Sequence, residues 1–126
     1  MKLGVIFGSS STEHEVSVVS GYNVISNLDK RKYDVIPIYL DKNNDWYTCE
    51  NFRIEKFGEL PSKMKPIKNV FSFLKNLDCV FPVMHGKLGE DGSIQGLLEI
   101  LGVPYVGCNI LASSVCMDKI YTKAIL

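Results

Sequence analysis

Apolar residues in this chain fall into short runs separated by glycine-rich and polar turns, with helical spacing in between. Leu3 to Phe7 is apolar and bounded by glycines, the pattern of a buried parallel strand. Gly8-Ser9-Ser10-Ser11 follows as a loop. Thr12 and Glu15 have the spacing of a capping box, and Val18, Tyr22, Ile25 and Leu28 share one helical arc. This predicts a helix to about Asn27 or Leu28, with Lys30 and Arg31 suited to its negative end. Tyr33 to Leu40 reads as a second strand, in which Pro37 marks a weak point or an edge. Asp41 to Asp45 has turn chemistry, and Trp46 to Cys49 is the return arm of a hairpin. The lysine-rich stretch 50–69, with Pro61 and Pro66, has no period and reads as a surface excursion.

The most informative stretch is Val80 to Gly96. Phe71, Phe73, Leu74 and Leu77 lead into a third strand over 78–84, and its apolar run stops at His85-Gly86. A loop then gathers Gly86, Gly89 and Gly92 with Lys87, Glu90 and Asp91. Behind it Ile94, Leu97, Leu98 and Leu101 recur at i, i+3, i+4 and i+7, which predicts a helix from Asp91 to Leu101. Gly102 and Pro104 stop it. Pro104 to Gly107 reads as a brief fourth strand, and one closing helix runs on from Asn109 or Leu111. Strands alternating with helices argue for βαβ units around a parallel sheet. Right-handed crossovers bring both glycine loops to one edge of that sheet, where α/β proteins bind ligands.

Composition narrows the class. The 126 residues fit one domain with a real core. Fourteen basic against fourteen acidic residues remove the electrostatic argument for nucleic acid or an anionic membrane as partner. No apolar stretch is long enough for a signal-peptide core or a membrane span. Cys49, Cys79, Cys108 and Cys116 lie scattered without a C-x-x-C pair, the pattern of reduced cytosolic thiols and not of a disulfide or zinc framework. The apolar ending, without glycine or polar cap, carries the expectation that the chain is a fragment.

Two places offer chemistry. In the first loop, Glu13, His14 and Glu15 have a purely structural reading, helix capping worth ~1 kcal/mol. Alternatively Glu13 faces a substrate cation, since an ammonium in a closed pocket needs a fixed carboxylate. In the second loop, His85 reads as a strand-end residue bonded to backbone, and Glu90-Asp91 as a charged helix start. Their coincidence with three glycines within eight residues at a strand's end favours a site. Neither G-x-G-x-x-G nor G-x-x-x-x-G-K-[ST] occurs, so a dinucleotide or P-loop site is unsupported.

Taken together, Ser11 to Ser17 (STEHEVS) and His85 to Gly96 (HGKLGEDGSIQG) resemble the D-alanine–D-alanine ligase family. The likeness continues through Pro104-Tyr105-Val106-Gly107 and Met117-Asp118-Lys119, and is poor in the middle of the chain. One departure is Ser9, where the family commonly has glycine; if that position requires a positive φ, either Ser9 is strained or the loop here differs slightly.

The resemblance implies a three-layer, Rossmann-like (pre-ATP-grasp) α/β domain with a mainly parallel sheet. Residues 1–117 would form the N-terminal substrate domain, and 118–126 the first helix of an absent ATP-grasp central domain. The implied reaction is ATP- and Mg2+-dependent joining of D-alanine to a second D-amino acid through an acyl phosphate, in cytoplasmic peptidoglycan synthesis by a homodimer. Glu13 would hold the first ammonium, with Val16 against the methyl group. Ser17 and His85 would line the same pocket, and Lys119 would reach towards ATP phosphates. The fragment alone is expected to be inactive. The second half also resembles the vancomycin-resistance D-alanine–D-serine ligases. The rival from another class is a free-standing flavodoxin-like binding or regulatory module.

Overall fold

A computed structural model describes residues 1–126. Five strands form one sheet: β1 (Lys2–Gly8), β2 (Asp34–Leu40), β3 (Trp46–Cys49), β4 (Met64–Pro66) and β5 (Cys79–Pro82). Their spatial order is β4-β3-β2-β1-β5. β1 pairs parallel with β2 and β5, while β2–β3 and β3–β4 are antiparallel. Four strands therefore run one way and β3 alone is reversed. Five helices complete the chain: α1 (His14–Asn27), α2 (Val70–Lys75), α3 (Ser93–Leu101), α4 (Ile110–Met117) and α5 (Lys119–Ile125).

Period-two alternation along β1 and β2 creates the three layers. Ile6, Ile38 and Leu40 face Leu74 of α2 and Ile94 and Leu98 of α3. Val5, Phe7 and Tyr39 face Val18 and Ile25 of α1 on the other side. The approach of α1 depends on Gly21, since a methyl group there would stand 2.6 Å from the Phe7 ring. At the helix end Lys30 donates to the Ile25 carbonyl, the cation-to-carbonyl closure its position predicts. Pro37 lies opposite Val5 of β1, whereas β3 pairing begins only at Ile38. It is thus at a local edge of an interior strand, where no ladder hydrogen bond is lost on the β3 side.

Several sequence expectations change. The capping box does not form. His14 is drawn into the core, α1 begins there, and Thr12 falls outside the cap position. Ser11 closes the turn instead, its hydroxyl accepting from the Glu13 N–H at 3.1 Å and its carbonyl from the His14 N–H at 3.1 Å. Glu15 turns away to Lys42, 2.7 Å distant.

α3 starts at Ser93 and not Asp91, because Gly92 sits at φ 93° and redirects the chain. The closing helix is two. Asp118 is extended, and its carboxylate accepts from the N–H groups of Ile120 (2.8 Å) and Tyr121 (3.2 Å), a fresh N-cap for α5. The expected fourth strand is a single parallel bridge between Val80 and Tyr105.

Residues 50–69 are not wholly superficial either. Phe52 stacks on Phe7 with centroids 4.7 Å apart, and Ile54 joins the same core. Phe71 to Leu74 belong to α2, where the Asn69 side chain accepts from the Ser72 N–H.

Candidate functional site

Parallel pairing of β1 with its neighbour β5 brings the loops after Gly8 and after Pro82 to the same sheet edge. Three contacts fix them together. Ser17 is fully buried on α1; its hydroxyl accepts from the Gly8 N–H and donates to the Val83 carbonyl, both at 2.8 Å. Ser20, one turn on, meets His85 Nε2 at 2.9 Å. The Glu13 carboxylate lies over Gly86: a methyl group on Gly86 would stand 3.4 Å from Glu13 Oε1 and 2.6 Å from the Ser11 hydroxyl.

The first loop owes its path to two successive positive φ angles, 95° at Gly8 and 90° at Ser9. A side chain at Gly8 would meet the Leu40 carbonyl oxygen at 2.2 Å. Ser9 is fully buried, and its N–H donates to that same carbonyl at 2.8 Å. The Ser9 carbonyl in turn takes a hydrogen bond from His14 Nδ1 at 2.6 Å, while His14 Nε2 meets the Tyr39 hydroxyl at 2.9 Å. His14 is thus a satisfied core histidine. Burial pushes the Tyr39 hydroxyl up to about 12, so it stays protonated.

A third loop, between β2 and β3, clamps the first. Asn44 accepts from the Ser10 N–H at 2.9 Å and donates to the Ser10 hydroxyl at 3.1 Å, while Lys42 pairs with Glu15. The Lys42 hydrogen bond holds the Glu15 carboxyl below its usual range. Sequence reading treated 41–45 only as a turn; the alternation of Asp and Asn there signals turn formation, not a tertiary partner.

The second loop is held by its own carboxylates. Glu90 accepts from the Gly86 N–H at 2.7 Å. Asp91 accepts from the N–H groups of Leu88 and Ser93, both at 3.0 Å. Burial pushes the Asp91 carboxyl up, but hydrogen bonds from Ser93 and Leu88 outweigh it and the net shift is downward. The charged helix start expected of Glu90-Asp91 thus holds the loop's own backbone.

The expected site residues therefore divide. Glu13 lies against Gly86 and His85 against Ser20, with Val16 on α1 between those two anchor positions; Glu13 is exposed, Val16 is 44% exposed and His85 is half-buried. Ser17 has no exposed face, and its hydroxyl joins the two loops where sequence reading gave it a ligand. Lys119 lies apart on α5, exposed and in no ion pair. Ser20 escaped the sequence reading, because a serine three residues after Ser17 on a polar arc looks like ordinary helix surface. The wall is open on one side. A cleft of about 1070 Å3 lies at the opposite sheet edge among Tyr22, Lys30, Tyr33 and Arg53.

Comparison with known proteins identifies the family. Residues 2–108 match the family model described as D-ala D-ala ligase N-terminus. A D-alanine–D-alanine ligase of Clostridium acetobutylicum is 49% identical over 130 residues, covering 99% of this chain and 38% of the relative. The crystal structure of VanG D-Ala:D-Ser ligase from Enterococcus faecalis superposes with a TM-score of 0.79 at 37% identity, over 98% of this chain and 40% of that one. The D-alanine–D-alanine ligase of Bacillus anthracis, complexed with ATP, gives 0.72 at 40% identity, over 100% and 35%. The chain thus spans about two fifths of the length of the relatives it matches. With two loops joined at one sheet edge and a family model covering most of its length, the chain belongs to the D-alanine–D-alanine ligase family, in the N-terminal part of those enzymes.

Proposed function

We propose that this chain supplies one wall of the first amino-acid subsite of an ATP-dependent ligase that joins D-alanine to a second D-amino acid. The observation that carries the reading is the Glu13 carboxylate seated over Gly86, between the two loops. A carboxylate so placed pairs with a substrate ammonium and fixes the amino acid from its non-reacting end. Val16, one helical turn after Glu13 and partly exposed, offers an apolar contact for a methyl group. His85 adds a hydrogen-bonding edge. Ser17 positions both loops and touches no ligand. ATP, when bound, supplies the phosphoryl group that activates the first carboxylate for attack by the second amine, through an acyl phosphate.

No three His, Cys, Asp or Glu side chains converge in the chain. Its donor set does not fit a magnesium ion, which falls to the rest of the ligase together with most contacts to ATP. Lys119 is the one residue assigned towards the phosphates. Residues 1–117 form the substrate domain and 118–126 open the central one. The family match ending at residue 108 and the absence of any buried residue in α5 support that division. The 126 residues alone are expected to form no dipeptide, since they supply one wall of the subsite and do not activate the substrate.

Relatives named D-alanine–D-alanine ligase favour D-alanine as the second substrate, while the superposition with a D-Ala:D-Ser ligase keeps D-serine as the second reading. Competing the two amino acids in the complete enzyme separates them. The reading of the wall is tested by Glu13→Gln in the complete ligase. Removing a charged hydrogen bond should raise the D-alanine KM roughly 10- to 100-fold; an unchanged KM would overturn the assignment.

A further inference from the structure

We infer that Ser20 is the positioning residue for His85, fixing which ring nitrogen faces the amino-acid subsite; this rests on the subsite reading above. The two residues are 65 positions apart, on α1 and on the loop after β5, and meet through Ser20 Oγ and His85 Nε2 at 2.9 Å. No other hydrogen bond engages either side chain. His85 Nδ1 is therefore the ring atom left for a ligand, and Ser20 has no competing bond that would account for its position.

The geometry works because a hydroxyl both donates and accepts. When Ser20 donates to Nε2, the neutral ring carries its proton on Nδ1 and presents a donor. When Nε2–H donates to Ser20, Nδ1 of the neutral ring presents an acceptor. In both cases the ring plane is held by the same contact. The anchor is itself rigid. Ser17, one turn earlier on α1, ties the helix to Gly8 and to Val83, two residues before His85. Ser17 thus sets the distance between helix and loop, and Ser20 sets the angle of the ring at the end of it.

The test pairs a ring readout with kinetics. In the 13C,15N-labelled chain, wild type should show one His85 ring orientation, read from nuclear Overhauser contacts between the ring Hδ2 and Hε1 protons and the Ser20 β-protons. Ser20→Ala should give an averaged ring orientation, with backbone shifts away from 20 and 85 unchanged. Ser20→Thr, which keeps a hydroxyl on the same carbon, should restore the single orientation. In the complete ligase, Ser20→Ala should lower kcat/KM for D-alanine about 3- to 10-fold, the range of one hydrogen bond, with Ser20→Thr within about 2-fold of wild type. An unchanged ring orientation in Ser20→Ala, or a ring that is freed without any kinetic loss, overturns the inference. Failure of the subsite reading looks different: Glu13→Gln would then leave the D-alanine KM unchanged whatever the ring does.

Discussion

Gly86 lies beneath the Glu13 carboxylate, so that a methyl group on its Cα would crowd Ser11 at 2.6 Å and Glu13 at 3.4 Å. Its φ of 74° is in the left-handed region as well. The glycine therefore serves the site twice, by turning the chain and by leaving room for the carboxylate. Gly86→Ala is expected to cost about 1–3 kcal/mol of stability through strain. It should also raise the D-alanine KM of the complete ligase, since Ser11 and Glu13 must give way. Urea unfolding and steady-state kinetics on the same variant check both effects.

Ser9 holds a buried φ of 90° without glycine's freedom. Ser9→Gly relieves strain of about 1–2 kcal/mol, against about 0.4–1 kcal/mol lost to unfolded-chain entropy. The hydroxyl sacrificed makes only a 3.4 Å contact with the Ser11 N–H. The variant should be at least as stable as wild type. A lower melting temperature for Ser9→Gly than for wild type would show that the strain is not there.

Asn44 clamps Ser10 by two hydrogen bonds while itself at φ 62°. Asn44→Gly keeps that backbone conformation and deletes only the clamp. The prediction is a D-alanine KM about 3- to 10-fold higher with little change in the denaturation midpoint, because the loop carrying Glu13 loses a support and the core loses nothing.

Acid should destabilise the domain through Asp91. Its carboxyl is held below the ordinary value of 3.8 in the folded chain. The unfolded chain therefore takes up the proton at a higher pH than the folded one. The stabilisation is fully present above the ordinary carboxylate range and is lost as pH falls through the folded value. Asp91→Asn should flatten the acid limb of a stability profile recorded by urea titration from neutral pH down to about pH 3.

Burial pushes the Cys49 thiol up to about 12, whereas Cys108 and Cys116 are exposed. Thiolate is the reactive form, so Cys49 is inert in the native state. Thiol titration of the folded chain at pH 8 should label Cys108 and Cys116 first and Cys49 only on unfolding. Fast labelling of Cys49 would mean that the face formed by Phe7, Tyr39 and Phe52 opens readily.

By itself the sequence determined the alternation of strands and helices and the glycine loops. Those features are local: apolar period, β-branched runs and glycine positions act through the backbone of a few neighbouring residues. It also singled out Ser9, where the structure then chose strain, at φ 90°, over a different loop. What only the tertiary structure decided were partners distant along the chain. Phe52 entered the core because Phe7 offered a ring to stack on, although nothing in residues 50–69 repeats with a period. Ser17 became a bridge and Ser20 an anchor because β5 lies beside β1. Asn44 became a clamp because the hairpin of β2 and β3 returns to the first loop. A hydroxyl or an amide has no periodicity to reveal its partner; its role is set by which segment the sheet order brings within hydrogen-bond reach.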